Sequence, residues 1–385
     1  MDFNYDEEQQ ALREAVRGLV GKAYSDFESR RQTVAEDPGF SEKVWSQLAE
    51  MGILGLPFDE AYGGMGAGAV EVGIVAQELG RVLAPEPFLT SVVLAGGLVA
   101  AAGSEEQKAE LLGALSSGES VLAFAHHEPG SRWTVAASGV TATSSGDAWT
   151  LSGVKEPVLH GARADVLVVS AALPDGGTGL FVVDPAGLER SAYPPHAGGR
   201  AARIVLDSTP ATPLGAGGDA EAVIGRVLDI GRVVACNEAI GLMAVALEQT
   251  SAYLKSRKQF GVTLNTFQAL TFRAADMYVS LELATSIVTW ATMVLAGASA
   301  DSEVDGEVDV ATAAARAALQ VSKAGRHIGQ EAIQLHGGIG MTAEYSIGSY
   351  TSRLTALDHL LGDGGFHLAA LAKGVAAYDE VDALP

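Results

Sequence analysis

The feature that most restricts the fold of this chain is a segment of about 100 residues in which the spacing of the apolar residues changes. On either side of this segment, apolar residues recur at helical spacing. Within it the sequence breaks into short β-rich runs separated by Gly, Asp, Pro and Ser. The runs lie at 121–125, 140–143, 149–152, 166–170, 179–183 and 202–206. So many short runs in so few residues predict a compact β-sandwich or barrel between two helical regions.

The change in spacing divides the chain into three predicted domains of an α+β protein. They are an N-terminal helical domain at 1–118, a β-domain at 119–218 and a C-terminal helical bundle at 219–385. Helices in the first domain are predicted at 7–20, 40–51, 70–80, 88–102 and 105–116. Long helices in the last domain, enough for a four-helix bundle, are predicted at 220–256, 266–297, 308–335 and 345–375. The acidic segment 301–307 is expected to be an exposed loop.

The charge and composition exclude several classes of function. A formal net charge of −22 argues against nucleic acid or an anionic membrane surface as a partner. No continuous apolar run approaches the ~20 residues of a membrane helix, and the segment 1–8 lacks the features of a secretion signal. The single cysteine, Cys236, allows no internal disulfide, so we expect a protein of the reducing cytoplasm. No metal site is expected.

Two glycine-bearing junctions between long helices are candidates for binding a phosphate-rich ligand. The first is 257–261, Arg-Lys-Gln-Phe-Gly, where Gly261 is expected to reverse the chain because glycine takes positive φ without strain. Arg257 then ends a helix, where the helix dipole favours a cation and five donors can fork onto phosphate. The second is 334–340, Gln-Leu-His-Gly-Gly-Ile-Gly. Neither is a P-loop, and either one alone would be an ordinary helix end.

Taken together, the two junctions resemble motifs of the acyl-CoA dehydrogenase family. The resemblance is carried by 253–261, Phe267-Gln268, 276–278 and 332–341, and it runs nearly end to end. It implies an FAD flavoprotein that oxidises the Cα–Cβ bond of an acyl-CoA to a trans-2-enoyl-CoA. The resemblance also implies which residues hold the ADP end of FAD: Arg257, Gln259, Phe260, Gln268, Gln334, Leu335, Gly337 and Gly338.

The catalytic glutamate that the resemblance implies is missing. The reaction needs a carboxylate to take the Cα proton while the flavin accepts a hydride from Cβ. Counted from the matching Arg353, the usual position of that glutamate is Gly362, and the alternative position, just before Arg232, is Gly231. Glu238 lies in an apolar helical stretch, where an ionised carboxylate needs a partner. We interpret it as a structural or interface carboxylate, with a catalytic role as the alternative.

The half of the site that would hold the flavin ring also departs from the family pattern. The family's flavin-contacting turn is replaced by 127–133, His-Glu-Pro-Gly-Ser-Arg-Trp. Its Lys-Trp-x-Ile-Thr strand is matched by 155–159, Lys-Glu-Pro-Val-Leu, so Glu156 replaces the aromatic wall and Leu159 the hydroxyl donor. In the family, one subunit holds the ring and supplies the base, and its neighbour holds the ADP end. This chain keeps the neighbour's half.

The sequence therefore resembles the small subunit of a heteromeric acyl-CoA dehydrogenase, of the pimeloyl-CoA dehydrogenase small-subunit type. That resemblance implies an α2β2 assembly with a larger subunit, an acyl-CoA substrate (steroid side chains in related pairs) and electron-transfer flavoprotein as acceptor. Two alternatives stay open: a self-sufficient homomeric enzyme that uses Glu238 as its base, and a non-enzymatic structural partner that binds no FAD. Retention of Arg257 and Gln334 speaks against the last, because a structural remnant needs no phosphate site.

Overall fold

The N-terminal region is helical, and several of its helices begin at side-chain caps. The computed structural model describes residues 5–146, 148–299 and 309–375, so the acidic segment 301–307 lies outside the described residues. Asp6 accepts a hydrogen bond from the Gln9 amide before the first helix, which satisfies a backbone donor that has no partner within the helix. The helices are α1 (Glu7–Ala23), α2 (Phe27–Ala35), α3 (Glu42–Glu50), α4 (Ala69–Arg81), a π-helical segment (Phe88–Gly96) that continues into α5 (Gly97–Ala102), and α6 (Glu105–Ser116).

Helix α2 has no counterpart among the predicted helices. Its only buried residue is a charged one, Arg30, so it lacks the apolar stripe by which an amphipathic helix is recognised in a sequence. Asp26 caps its first turn by accepting from the backbone amides of Glu28 and Ser29. Helix α2 is therefore stabilised by the Asp26 cap and by the hydrogen bond from Arg30 to the Leu83 carbonyl, and it has no periodic apolar face.

The middle region forms a closed barrel, one of the two predicted architectures. Its strands are β1 (Leu122–Ala125), β2 (Thr141–Ser145), β3 (Ala148–Leu159), β4 (Val166–Ala172), β5 (Thr178–Val183), β6 (Glu189–Tyr193) and β7 (Ala201–Pro213). The pairings β4–β2, β2–β3, β3–β7, β7–β5 and β5–β4 close the ring, while β1 adds to β4 and β6 adds to β7. All predicted runs are strands, and β6 is additional. Its five residues are exposed or half-buried, so no alternation marks it in the sequence.

The C-terminal region is a bundle of long helices. They are α7 (Glu221–Ser256), α8 (Gln268–Ser299), α9 (Val310–His336), α10 (Ile347–Leu360) and α11 (Gly364–Ala372); a short hairpin of β8 (Lys258–Gln259) and β9 (Val262–Thr263) joins α7 to α8. The single helix predicted at 345–375 is wrong, because the chain breaks at Gly362, whose φ is +125°. Asp363 then caps α11 by accepting from the Phe366 amide.

Two helices of the bundle are long and apolar enough to cross a membrane by length and composition, although neither contains a continuous apolar run of that length. By length and composition α7 qualifies, with a mean hydropathy of 1.6, and so does Gln268–Gly297 of α8, with 1.5. The apolar window of α7 is 78% buried, so its composition is that of a core helix. The corresponding window of α8 is only 39% buried, so much of its apolar surface is exposed.

The two helical regions share one hydrophobic core, and the barrel has its own. Leu48 and Leu112 of the N-terminal helices belong to the same buried cluster as Ala239 and Ala317 of the bundle. The barrel interior is a separate cluster that contains Val169, Phe181 and Ile204. The predicted fold class, with helical N- and C-terminal regions around a β-domain, is therefore confirmed.

Candidate functional site

The first junction is a tight β-hairpin at the end of α7. Strands β8 and β9 pair antiparallel, and the two residues between them, Phe260 and Gly261, have φ of +54° and +81°. Positive φ at both central residues is the geometry of a type I′ turn. Glycine accepts this conformation, as predicted for Gly261, but a phenylalanine is strained in it. The result is a Phe260 ring that is 90% exposed at the tip.

Arg257 lies at the C-terminal end of α7, as predicted. Its amide donates to the Tyr253 carbonyl at 2.8 Å, and its own carbonyl accepts from the Leu264 amide at 2.9 Å. Its side chain is exposed and has no ion pair or hydrogen bond within the part of the chain that the structure describes. The guanidinium is therefore available to a ligand.

The second junction is the end of α9. Gly337 has a φ of +66°, and its amide donates to the carbonyls of Ile333 and Gln334. A 3₁₀ turn then follows over Gly337–Met341. Gln334 and Gly338 are exposed, whereas the Leu335 side chain lies in the core at 5% exposure. Any contact of Leu335 with a ligand would therefore come from its backbone.

Stacked rings bring the two junctions together. Tyr253, one turn before Arg257, stacks on His336 with ring centroids 4.5 Å apart, and Tyr345 lies 5.0 Å from the same imidazole. His336 is buried, which lowers its pKa, and its Nδ1 donates to the Ala332 carbonyl at 2.7 Å. The neutral imidazole therefore acts as a spacer between the ends of α7 and α9.

The exposed groups of these junctions suit the ADP end of a dinucleotide. Arg257 offers a fork of donors. Gln259 and Gln268 offer exposed amide groups at the first junction, and Gln334 offers one at the second. The Phe260 ring offers a stacking face. All of these groups lie on an open surface.

Little open space lies between the barrel and the bundle beside the strand to which the family resemblance assigns the flavin ring. The cavity between the barrel and the bundle there is about 30 Å³ and is lined by Phe124, His127, Leu159 and Leu361, among others. That is room for one or two water molecules, not for three fused rings. Trp133 spans the gap, since its Nε1 donates to the His359 carbonyl at 2.9 Å and its ring packs on Phe366. As it stands in the described residues, this space of about 30 Å³ has no room for the ring half of FAD.

The barrel residues at this position have other partners. Lys155 is fully buried and donates to the His126 carbonyl, Glu128 Oε1 and Ser170 Oγ at 2.8–3.1 Å. Glu156, which replaces the expected aromatic residue, lies 3.5 Å from Arg203 of the neighbouring strand. The matched strand thus serves barrel packing and presents no ring-stacking side chain.

Neither glycine at the two glutamate positions has room for a side chain. A Cβ on Gly362 would lie 2.6 Å from Phe366 Cδ1 and 2.8 Å from His367 Nε2, at a φ of +125°. A Cβ on Gly231 would lie 2.6 Å from Leu94 Cδ2. Distances under 3.0 Å are not found for real Cβ atoms, so a side chain at either position would displace its neighbours, and at Gly362 the positive φ would add backbone strain.

Glu238 forms an ion pair in the structure. Its two oxygens accept from Arg353 Nε at 2.6 Å and Nη2 at 3.0 Å, which is the bidentate geometry of a strong Arg–carboxylate pair. The side chain of Glu238 is 11% exposed and that of Arg353 is 28% exposed. The predicted need for a partner is confirmed, and the partner is the same arginine from which the glutamate position was counted.

A central cavity of about 270 Å³ lies where the N-terminal helices, the barrel and the bundle meet. Glu238 and Arg353 line it, together with two residues that sequence reasoning missed, Arg30 and Glu86. No motif marks either residue. The only signal is that both are charged and nevertheless less than 9% exposed, which the structure alone reveals.

Comparison with known proteins assigns the family. Two family models match, the acyl-CoA dehydrogenase N-terminal domain at residues 6–119 and its C-terminal domain at residues 221–376. A solved variant of the Tcur3481-Tcur3483 steroid ACAD is 32% identical, with 96% of this chain and 98% of that chain covered and a TM-score of 0.85. A probable acyl-CoA dehydrogenase of Bacillus subtilis, YngJ, is 28% identical over 90% of this chain and 92% of its own length.

The name of a further relative includes an Etf partner. The caffeyl-CoA reductase–Etf complex subunit CarC of Acetobacterium woodii is 28% identical over 86% of this chain and 90% of its own length. The steroid ACAD exceeds 30% identity and is matched over almost its whole length. With both terminal domain models matched and the fold shared, the chain belongs to the acyl-CoA dehydrogenase family.

Proposed function

We propose that this chain is one subunit of a heteromeric, FAD-dependent acyl-CoA dehydrogenase that forms a trans-2-enoyl-CoA. In this proposal it contributes the ADP-end site, while a larger partner subunit contributes the flavin-ring pocket and the catalytic base. The observation that carries the proposal is Gly362, where packing against Phe366 and His367 excludes the glutamate side chain. An enzyme of this family without a base in one chain needs that base from another chain.

An exposed apolar face on α8 supports a partner subunit. Phe272, Val279 and Leu283 are 60%, 54% and 58% exposed and recur at helical spacing along one side of the helix. Exposed large apolar side chains in a row are typical of a protein–protein interface. Gln268, one of the proposed cofactor residues, begins the same helix. A partner that covers this face would thus also lie beside the cofactor site.

The names of two relatives support the proposed partner, substrate and acceptor. The Tcur3481-Tcur3483 steroid ACAD is named for two gene products and a steroid, which supports an enzyme with two kinds of subunit and a steroid acyl-CoA as the substrate. We propose that the two subunits form an α2β2 assembly and that the acyl group is a bulky steroid side chain. The name of the CarC relative supports electron-transfer flavoprotein as the electron acceptor. A cytoplasmic location accords with the one cysteine, Cys236, which is buried and free.

In the assembled enzyme, FAD supplies the acceptor for the hydride that leaves Cβ. This chain's own contribution is binding and orientation. The Arg257 fork would hold phosphate oxygens, and the strained turn at Phe260 presents a flat ring beside it. The amides of Gln259, Gln268 and Gln334 add hydrogen bonds of fixed direction. These contacts position the cofactor for chemistry that takes place in the partner's half.

The alternatives have less support. A homomeric enzyme that uses Glu238 as base would have to break the bidentate pair with Arg353, which leaves a partly buried arginine without its carboxylate. A partner that binds no FAD would not account for a strained, exposed Phe260 beside a free Arg257.

The first test is production of the chain alone and together with its partner. We expect the chain alone to bind little FAD, and co-expression with a larger acyl-CoA dehydrogenase subunit to restore flavin absorbance. The reason is that the ring pocket of this chain has a volume of only about 30 Å³. Absorbance at the flavin bands and native mass measure the occupancy. Full FAD occupancy in the chain purified by itself would refute the heteromer.

The second test is Arg257→Ala in the assembled complex. We expect FAD to bind roughly 10-fold to 100-fold more weakly, since hydrogen bonds to charged groups contribute about 1.5–3 kcal/mol. Fluorimetric titration of the FAD-depleted complex measures the change. Lys255→Ala is the matched control, because Lys255 is an exposed cation in the last turn of the same helix. An equal loss in both variants would mean that only the helix-end charge matters.

A further inference from the structure

The central cavity has one polar wall and several apolar walls. Leu79, Leu83, Phe88 and Leu89 of the N-terminal region and Leu360 of α10 supply apolar surface. At about 270 Å³ the cavity is roughly nine times the size of the closed space at the flavin-ring position. Its size and walls suit a small organic molecule with an apolar body.

Arg30 is the unusual residue of this cavity. It is only 8% exposed, and its Nε donates to the Leu83 carbonyl at 2.7 Å. Its two terminal nitrogens have no hydrogen bond and no carboxylate within 4.0 Å among residues 5–146, 148–299 and 309–375. Burial lowers the pKa of Arg30 only to about 10, so the group stays charged at neutral pH. A buried, charged guanidinium without a counter-ion is costly unless a ligand supplies one.

Glu86 is the carboxyl group that acts electrostatically on Arg30, but the two side chains form no ion pair within 4.0 Å. Glu86 lines the same cavity, and its Oε1 accepts from the Tyr24 hydroxyl and the Ser41 amide. Burial raises the pKa of Glu86 to about 7, so this carboxyl is partly protonated at neutral pH. Its Oε2 is buried and has no hydrogen-bond partner among the described residues. A protonated Glu86 would leave Arg30 without compensation and could itself donate to a ligand oxygen.

The other arginines and carboxylates that line the cavity are ion-paired, and one buried histidine is neutral. Glu238 neutralises Arg353 in the bidentate pair, and Arg200 pairs with Asp37 at 2.6 Å. Burial lowers the pKa of His160 to about 4, so this imidazole is neutral at pH 7. Among the arginines that line the cavity, Arg30 is thus the one without an ion pair when Glu86 is protonated.

The cavity is connected to the surface beside this arginine. A groove between α2, the loop before β7 and α10 opens to solvent and shares lining residues with the cavity. Arg30, Val34, His196 and Arg200 line both spaces. A ligand that enters through the groove therefore passes Arg30 before it reaches the apolar walls.

We propose that this cavity binds a small amphipathic carboxylate, with its carboxylate on the terminal nitrogens of Arg30 and its apolar chain against Leu79, Leu83 and Phe88. A carboxylate has one negative charge and two oxygens, which match one unpaired guanidinium fork. The ring position next to it is closed, so the site binds without turnover in this subunit. Binding in this cavity needs no partner subunit and does not depend on the heteromer proposal.

Octanoate is the probe, titrated calorimetrically into the full-length protein, as the isolated chain or as the co-expressed complex. We expect saturable binding with one site per copy of this chain, and Arg30→Met to weaken it roughly 10-fold to 100-fold. The uncharged 1-octanol should bind more weakly than octanoate to the wild type and equally to both proteins. In a complex, the difference between wild type and variant isolates this subunit, because the partner is unchanged.

Arg31→Met is the matched control. Arg31 is the next residue on the same helix, at the outer rim, where it pairs with Glu28. We expect its loss to change octanoate affinity by no more than about twofold, since exposed pairs contribute little. If Arg30→Met does not fold, Arg30→Lys keeps the charge without the fork and should retain part of the binding. Equal octanoate affinity in the wild type and the Arg30 variant, or no saturable binding to the wild type, would overturn the proposal.

Discussion

Gly362→Glu is expected to destabilise the chain and to create no catalytic base. The glutamate would have to adopt a φ of +125° with its Cβ 2.6 Å from Phe366 Cδ1 and 2.8 Å from His367 Nε2. Backbone strain costs about 1–3 kcal/mol and overpacking costs about 1–3 kcal/mol. We therefore expect the free energy of unfolding to fall by roughly 2–6 kcal/mol. Chemical denaturation of the FAD-loaded complex measures the loss, and anaerobic flavin reduction by acyl-CoA measures any gain in activity.

Gly18→Glu is the control for this substitution. Gly18 is exposed in α1, and a Cβ there meets nothing within 4 Å. Replacing a helical glycine with glutamate there should stabilise by at most about 1 kcal/mol, in line with helix propensity. A stable Gly362→Glu protein that reduces its own flavin would show that only a side chain was missing. The heteromer proposal would then lose its main support.

The elements that depend on local periodicity could be predicted from the sequence. The six β-rich runs became strands because their apolar residues face a barrel interior that contains Val169 and Phe181. Helix α2 and strand β6 could not be predicted in the same way. Arg30 is the only buried residue of α2, and no residue of β6 is buried. Where the buried residues are not apolar, or where no residue is buried, the sequence carries no periodic signal.

The first junction was predicted in outline but not in geometry. Gly261 reverses the chain as expected, but Phe260 also takes a positive φ. That turn position usually holds asparagine, aspartate or glycine, so the sequence did not predict this conformation for a phenylalanine. The exposure of the Phe260 ring is therefore a feature that the structure shows and the sequence did not predict. Whether Arg257, Gln268, Gln334 and the other proposed residues contact FAD stays a prediction.

The central cavity could not be predicted because its residues converge from distant parts of the chain. Arg30 comes from α2, Glu86 precedes the π-helical segment, and Arg353 lies on α10, more than 250 residues later. Charged residues are mostly exposed in proteins, so the default expectation for each was a place on the surface. The cavity arises from the packing of three regions, which no local pattern encodes.

Glu238→Gln is expected to weaken the fold but not the chemistry of the assembled enzyme. The amide keeps the shape of the side chain but loses the charge that Arg353 binds with two hydrogen bonds at 2.6 and 3.0 Å. A charge-assisted pair of this kind contributes roughly 1.5–3 kcal/mol. We therefore expect a loss of stability of that size in chemical denaturation. Single-turnover bleaching of the flavin by acyl-CoA should keep its rate when oligomer and FAD content are matched.

The control is Glu248→Gln, which removes the carboxylate of a second pair, Arg81–Glu248, at the surface. Glu248 is 58% exposed against 11% for Glu238, so its loss should change the free energy of unfolding by less than about 1 kcal/mol. If Glu238 were the base, its amide could not accept the Cα proton, and bleaching would slow by roughly 10²–10⁴-fold. Such a collapse, with FAD content and assembly unchanged, would make Glu238 the catalytic residue. Since Arg353 occupies both oxygens of that carboxylate, we expect stability alone to change.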